Sequence, residues 1–381
     1  MTRAAPRTRH PVPVTHTRHR TARLAAATAS AVLACTLLAA SPGAQAAAAD
    51  CFDREKEPYT SKVDSHLHFR PFGGKPIPWE EMLGYLQKSG VEYANVYGIG
   101  QTLPYDSSCT YYLDCPGTPV TPSMRNDFAN AASYAADPPP DDVHLTMSMT
   151  FPDLAHPEGV LDRMELLDEN YPGLFRWMGE VNVIKQALLP NGHEAAGEKA
   201  IDGWAPFMRE LRERDIPLTL HSDLGNNADP TKYLHLMEHV LERYPENKIV
   251  WAHAGLSKEL TEIGPDEHLG ILGRLLDKYP KLTLDISWRV LWDEYFSDPE
   301  IRGRYVDFLD RHPTRVIPGT DFVASDDKDF AVYEEELEVT SRINRDLSDE
   351  AFRGIALGGN YFRLTGLEEK APPICESGQR P

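Results

Sequence analysis

Positive charge is scarce in this chain. Its 381 residues carry 39 Lys and Arg against 58 Asp and Glu, a formal net charge of −19. Such a chain repels nucleic acid and anionic membrane surfaces, which argues against both as partners. The acid is spread over helix-like stretches such as Glu334-Glu335-Glu336-Leu337-Glu338 and reads as a solvated face. Cysteine is sparse, five in all. None stands in the close C-x2-C spacing of a four-cysteine zinc site. Past residue 40 no apolar run approaches the roughly 20 residues a spanning helix needs. There is no internal repeat and no low-complexity tail.

What is present begins with a lead. Arg3, Arg7, Arg9, Arg18, Arg20 and Arg23 precede an apolar run from Leu24 to about Ala40. Then comes Ser41-Pro42-Gly43-Ala44-Gln45-Ala46, an A-x-A cleavage pattern. The expectation is a secretory signal peptide over 1–46, cleaved on export, so that the protein is secreted. With no adjacent Arg pair, the general secretory route is favoured over the twin-arginine route. A retained anchor is the alternative, disfavoured by the short run. A lipoprotein site at Val32-Leu33-Ala34-Cys35 is disfavoured by Leu33, where a small residue belongs. The lead holds six Arg and no acid, so the remaining chain sits near −25. Residues 47–381 suit one large domain better than two ordinary ones.

Cys35 falls in the lead, leaving an even number of cysteines in an exported chain, which suggests two disulfides. Three pairings are possible. Cys109–Cys115, closing a short Tyr-rich loop, and Cys51–Cys375, tying the ends together, are the expected pair.

Short apolar β-type runs alternate with longer amphipathic ones. Strands are predicted at 62–68, 91–97, 143–149, 175–183, 216–221, 248–253, 282–286 and 315–320. Helices are predicted at 79–90, 159–171, 200–214, 232–244 and 268–279, with a closing one at 348–367. Eight strands, with strand followed by helix repeatedly along the chain, predict an α/β fold, a (β/α)8 TIM barrel. Tyr171-Pro172, Tyr244-Pro245, Tyr279-Pro280 and His312-Pro313 read as helix stops. Residues 98–122 read as a long loop on the face that holds the strand ends, either a lid or specificity wall or a structural cover pinned by a disulfide, and the two roles are compatible.

The strand ends read His68, Tyr97, Met149, Glu180, His221, His253, Asp285 and Asp321. In a barrel every strand delivers its last residues to one face, where chemistry happens. His66 and His68, two apart in a strand, aim at one side. An HxH pair alone is a weak signal, and a lone His221 or His253 is more often a packed core histidine. Together with Glu180 and Asp321, these imidazoles predict a divalent-metal site. Glu180 has two readings: a carboxylate bridging two metals, or one paired with Arg176 or Lys185.

The chain resembles the amidohydrolase superfamily, in its broad amidohydrolase-related branch of metal-dependent TIM-barrel hydrolases and decarboxylases. The resemblance rests on Asp64–Phe69 (DSHLHF), Thr219–Asp223 (TLHSD), Val250–Gly255 (VWAHAG), Pro318–Phe322 (PGTDF) and Ile355–Gly366 (IALGGNYFRLTG). It implies that His66, His68 and Asp321 bind a divalent metal, with His221 as a further ligand. It also implies that His253 either ligates a second metal or contacts substrate. A bound cation lowers the pKa of its water, and Asp321 is placed to take that proton. The implied catalytic residues are Asp321 and His253. Zinc is the default ion, one or two per chain, with manganese or iron equally compatible. The expected activity is hydrolysis of an ester, lactone, amide or similar bond in a small molecule. A metal-dependent decarboxylase of an aromatic or unsaturated acid is the alternative. Trp288, Arg289, Trp292, Tyr111 and Tyr112 are candidate neighbours of the substrate. Arg289 could pair with a substrate carboxylate or in a structural ion pair, and Asp223 could support His221. The oligomeric state is not legible.

Overall fold

A computed structural model describes residues 51–104 and 107–376. The expected signal peptide, over 1–46, lies outside the described residues.

Nine parallel strands make one sheet. They are β1 (Val63–His68), β2 (Tyr93–Tyr97), β3 (His144–Met149), β4 (Phe175–Ile184), β5 (Leu218–Ser222), β6 (Ile249–Trp251), β7 (Leu282–Asp285), β8 (Val316–Ile317) and β9 (Phe322–Val323). Their spatial order is β8-β7-β6-β5-β4-β3-β2-β1-β9. Apart from the β1–β9 pair, neighbours in space are neighbours in sequence, which is the order that right-handed β-α-β crossovers produce. The two outer strands, β8 and β9, are parts of one stretch, 316–323. Backbone bonds tie that stretch to β1: Ser65 N–H donates to Pro318 O and Asp321 N–H to His66 O. A curled sheet whose edges meet in one stretch is consistent with a TIM barrel.

The strands are buried on both faces, as parallel sheets covered by helices are. Val63, Tyr97, Trp177, Val250, Ile317 and Tyr361 pack in one cluster below the strand ends. Its polar tips are satisfied: Thr219 Oγ1 lies 2.8 Å from Tyr97 Oη and accepts from Trp177 Nε1 at 2.8 Å. The helices stop where the prolines say. Val160–Asn170, Leu234–Arg243, Pro265–Lys278 and Pro299–Arg311 each end one residue before Tyr171, Tyr244, Tyr279 or His312. Those four residues leave helical geometry, with φ between −136° and −121°, because the following proline ring crowds an α conformation.

Four predicted elements are corrected. The strand at 248–253 ends at Trp251, and His253 stands in the short turn Ala252–Gly255 that follows it. The helix at 200–214 is two, Glu198–Asp202 and Ala205–Glu213. Gly203 interrupts it, and Pro206 starts the second piece in the first turn that suits proline. The closing helix at 348–367 is also two, Asp349–Ile355 and Gly359–Thr365. Between them Gly358 has φ +86°, and a Cβ there would lie 2.7 Å from Val63. The eighth strand ends at Ile317 instead of Thr320, since Pro318 has no N–H to continue the ladder.

Both expected disulfides are present, Cys51–Cys375 with Cα atoms 5.0 Å apart and Cys109–Cys115 at 6.0 Å. The long loop is a packed wall. Gln101–Thr102 and Thr121–Pro122 pair as an antiparallel ribbon, and Tyr112 is buried with Phe72, Ile99, Leu103 and Leu188. Asn191 Nδ2 donates to Cys115 O at 2.8 Å and to Thr118 O at 2.9 Å, fastening the wall to the segment after β4. Among the described residues no helix is long and apolar enough to cross a membrane.

Candidate metal centre

All six predicted site residues meet at the C-terminal ends of the strands. Possible ligand atoms of His66, His68, Glu180 and Asp321 lie within 4.8 Å of one another, as do those of Glu180, His221 and His253. Glu180 belongs to both groups. Its Oε2 lies 3.9 Å from His66 Nε2 and 3.7 Å from His68 Nε2. Its Oε1 lies 3.6 Å from His253 Nε2 and against His221 Nδ1. Asp321 Oδ1 is 3.3 Å from both His66 Nε2 and His68 Nε2.

Backbone geometry aims these groups. Gly179, with φ +105°, lies so close to β5 that a Cβ would sit 2.2 Å from Thr219 O, so only glycine fits before Glu180. Gly319 likewise leaves no room for a Cβ beside His66. Five non-glycine residues among those described have positive φ, and four of them surround the cluster: His253, Ala254, Trp288 and Asp321. For a bulky residue such as Trp288, at φ +78°, this is a costly conformation of the kind concentrated at functional sites.

Outer contacts orient each imidazole. His66 Nδ1 lies 2.6 Å from Asp285 Oδ2, and Asp285 is itself fixed by Ser287 N–H at 2.6 Å. His68 Nδ1–H donates to Gly98 O at 2.7 Å. His253 Nδ1 faces Ser287 O at 3.3 Å and Ser287 Oγ at 3.0 Å. These three rings turn Nε2 toward the cluster. His221 is reversed: Nε2 is held by Asp223 Oδ1 at 2.9 Å and Nδ1 faces Glu180. Asp223, expected beside His221, is thus its anchor, and it also accepts from Gln186 N–H at 2.6 Å.

Asp285 ends a predicted strand, but sequence gave it no role. A carboxylate that acts through an imidazole carries no spacing signature of its own. Asp64 is a second such residue. It accepts from Thr320 N–H at 2.9 Å, Thr320 Oγ1 at 2.8 Å and Tyr333 Oη at 3.2 Å, so it fastens the turn that carries Asp321. Lys185, foreseen as one partner for Glu180, is there: Nζ lies 3.3 and 3.5 Å from the two carboxylate oxygens. Arg176, the other, is exposed. Arg289 is engaged with Asp293 at 3.0 Å and Glu336 at 3.2 Å. Tyr111, Tyr112 and Trp288 line a cavity of about 660 Å³ that opens above His68 and Asp321. Trp292 instead packs under the guanidinium groups of Arg302 and Arg342.

The donor set fits a divalent cation. His66 Nε2 and His253 Nε2 are buried and have no hydrogen-bond partner, a costly arrangement unless something accepts their lone pairs. The cluster's charge asks for a cation too. Burial pushes the His66 pKa down, yet Asp285, with Asp321 and Glu180, raises it to about 9. Burial would raise Glu180, but Lys185 and His221 hold it well below the usual carboxylate range. Imidazoles anchored through the far nitrogen by carboxylate or carbonyl are the usual support of metal-ligating histidines.

Residues 131–360 match the amidohydrolase family model. The chain belongs to the amidohydrolase family. With that membership it is a metal-dependent hydrolase of the amidohydrolase-related kind. No curated protein matches it. Among solved structures, an apo protein of Agrobacterium tumefaciens aligns at 16% identity over 85% of this chain and 96% of its own, with a TM-score of 0.50. A dihydroorotase of Campylobacter jejuni aligns at 14% identity over 82% of this chain and 84% of that chain, TM-score 0.49. An amidohydrolase of Burkholderia multivorans with bound zinc aligns at 16% identity over 80% and 99%, TM-score 0.48. Members of this family use divalent metals, and the His, Glu and Asp cluster of the amidohydrolase fold described above is where this chain has the donors for one.

Proposed function

We infer that this chain is an exported hydrolase that cleaves an ester, lactone, amide or similar bond in a small molecule at a centre of two divalent cations. His66, His68 and Asp321 would hold one ion and His221 and His253 the other, with Glu180 offering a carboxylate oxygen to each. The observation that carries this reading is the Glu180 carboxylate, one oxygen turned to His66 and His68 and the other to His221 and His253. Zinc is the default for His and carboxylate donors, although manganese and iron are compatible. Bound there, the cations supply Lewis acidity and bring the pKa of a water toward neutrality.

The residues do the rest. Asp321 lines the cavity floor and takes the proton of the attacking water at a carboxylate oxygen, then returns it to the leaving group. Burial would raise its pKa, but His68, His253 and His66 lower it, so its ionised form is ready at neutral pH. The wall formed by Tyr111 and Tyr112 limits access to small molecules. The chain's excess of acid disfavours polyanionic substrates. The lead at 1–46 supports export, and the two disulfides suit an oxidising compartment.

A second reading is favoured by one contact. The Lys185 ammonium on Glu180 supplies positive charge where the second cation would sit. One ion per chain then suffices, as in a decarboxylase of an aromatic or unsaturated acid, with His253 as proton donor.

Metal content separates the two. The chain without residues 1–46 is measured as wild type and as Glu180→Gln. About two ions falling to about one supports the bridged hydrolase, and esters, lactones and amides are the substrates to screen. One ion in both overturns it and directs the assay to carbon dioxide release from aromatic acids.

A further inference from the structure

Four cations line the cavity above the cluster: Lys185, Lys258, Arg289 and Lys328. Lys185 is paired with Glu180, and Arg289 with Asp293, Glu335 and Glu336. Lys258 and Lys328 form no ion pair among the described residues. Both stand on the cavity with no carboxylate of the described residues within pairing distance, whereas Lys248 pairs with Asp215 and Lys278 with Glu242 on the outer surface. The Lys328 ammonium is held in place: Nζ donates to Val323 O at 2.9 Å and lies 4.8 Å from the centre of the Phe322 ring. Burial depresses its pKa, Glu336, Asp321 and Asp327 oppose that from beyond pairing distance, and Lys258 depresses it further. The two ammonium groups thus repel each other across the cavity.

Trp288 connects this pair to the reacting centre. Its ring centre lies 4.9 Å from that of His253 and 5.8 Å from Lys258 Nζ. The strained left-handed backbone of Trp288 holds the indole in that gap. The indole thus neighbours both the cluster and Lys258, on the cavity that Lys328 also lines.

We propose that Lys258 and Lys328 form an anion subsite that takes the carboxylate of a planar small-molecule acid, placing its scissile bond over the cluster. The subsite selects among substrates and performs no bond-making step. This rests on the hydrolytic reading above. A single negative charge is specified because Asp114, Glu294 and Asp327 also line the cavity and repel a dianion. Carboxylate bound between two cations also relieves their mutual repulsion, so affinity falls when either is removed.

The test uses the metal-loaded chain lacking residues 1–46 and has two arms. Calorimetry measures binding of benzoate, benzamide and phenyl phosphate to wild type, Lys258→Met, Lys328→Met, the double variant and the Lys→Arg pair. The expected result is that benzoate binds at least 10-fold tighter than benzamide, that the double Met variant loses this preference, and that the Arg pair restores it. Benzoate affinity unchanged in the double Met variant places the carboxylate elsewhere, for instance on the metal, and overturns the proposal. Lysine-dependent binding that is tighter for phenyl phosphate overturns the carboxylate assignment in favour of phosphate. The second arm compares kcat/KM for a 4-nitrophenyl ester bearing a free carboxylate with that for its methyl ester. A preference for the free acid that falls 10-fold or more in the double Met variant supports the subsite. Turnover of both esters with no lysine dependence overturns the subsite and leaves the hydrolase reading intact. Lysine-dependent binding without turnover of either ester sinks the hydrolase reading and leaves the subsite standing.

Discussion

The two flanks of the cluster are prepared differently. On the flank of β1 and the 318–321 turn, His66 and His68 are anchored through Nδ1 and turn Nε2 toward Asp321, with His66 Nε2 left unpartnered. On the flank of β5 and β6, His253 Nε2 is likewise unpartnered, but His221 is bonded at both nitrogens, to Asp223 and to Glu180. The first flank gains contacts when a cation arrives. The second must give up the His221–Glu180 bond first. The lesson is that six residues of ligand type from five strands do not make two equal sites, because the hydrogen bonds already made inside the cluster differ between them. Graded removal with a chelator is therefore expected to release the ion of the His221 flank at lower chelator concentration.

Breaking the first flank has the largest expected effect. Asp321→Asn retains metal but lowers kcat by on the order of 10³-fold, measured by ester turnover alongside metal content; full activity would remove Asp321 from proton transfer.

The second flank has a pH-sensitive support. His268 is buried, with Nε2–H donating to Ala254 O at 2.9 Å and Nδ1 accepting from Tyr305 Oη at 2.7 Å. Burial lowers its pKa from 6.5 to about 4. Between these values the unfolded chain takes up a proton that the folded chain refuses. Its stabilising contribution is therefore whole above pH 6.5 and declines as pH falls to 4, by about 3 kcal/mol. Urea unfolding of wild type and His268→Gln between pH 4.5 and 7.5 should show the variant with the flatter acid limb.

The supports of the two flanks can then be compared directly. Asp285→Asn and Asp223→Asn each weaken one ion about 10- to 100-fold, Asp285 on the His66 side and Asp223 on the His221 side. Titration of the apo chain with zinc should lose the tighter step in the first variant and the weaker step in the second. Loss of the same step in both would mean the flanks are not separate.

The smallest effect is expected at the wall beside the first flank. Cys109→Ser with Cys115→Ser opens a short loop, costing roughly 2 kcal/mol, whereas removing Cys51–Cys375, which spans most of the chain, costs roughly 5 kcal/mol. Thermal unfolding of the two double variants orders them.

Much of this was legible in the sequence for physical reasons. Strands were found because a covered parallel strand must be apolar throughout, and helix ends because proline enforces them at Tyr171, Tyr244, Tyr279 and His312. The meeting of His66, His68, Glu180, His221, His253 and Asp321 followed from the barrel placing every strand end on one face. What was hidden depends on contacts that carry no local pattern. Asp285 supports His66 across 219 residues of chain. The break at Gly358 comes from its closeness to Val63. Lys258 and Lys328 look like ordinary surface lysines until the fold sets them on the same cavity without a carboxylate partner among the described residues.

One feature of the sheet bears on when the protein can work at all. Its two edges are halves of a single eight-residue stretch, and Asp321 lies in the turn between them. The carboxylate is thus part of the clasp that shuts the ring. A chain still being made carries five of the six candidate ligand residues and cannot present the last until residues 316–323 pair with β1. Completion of the sheet and assembly of the candidate site therefore coincide.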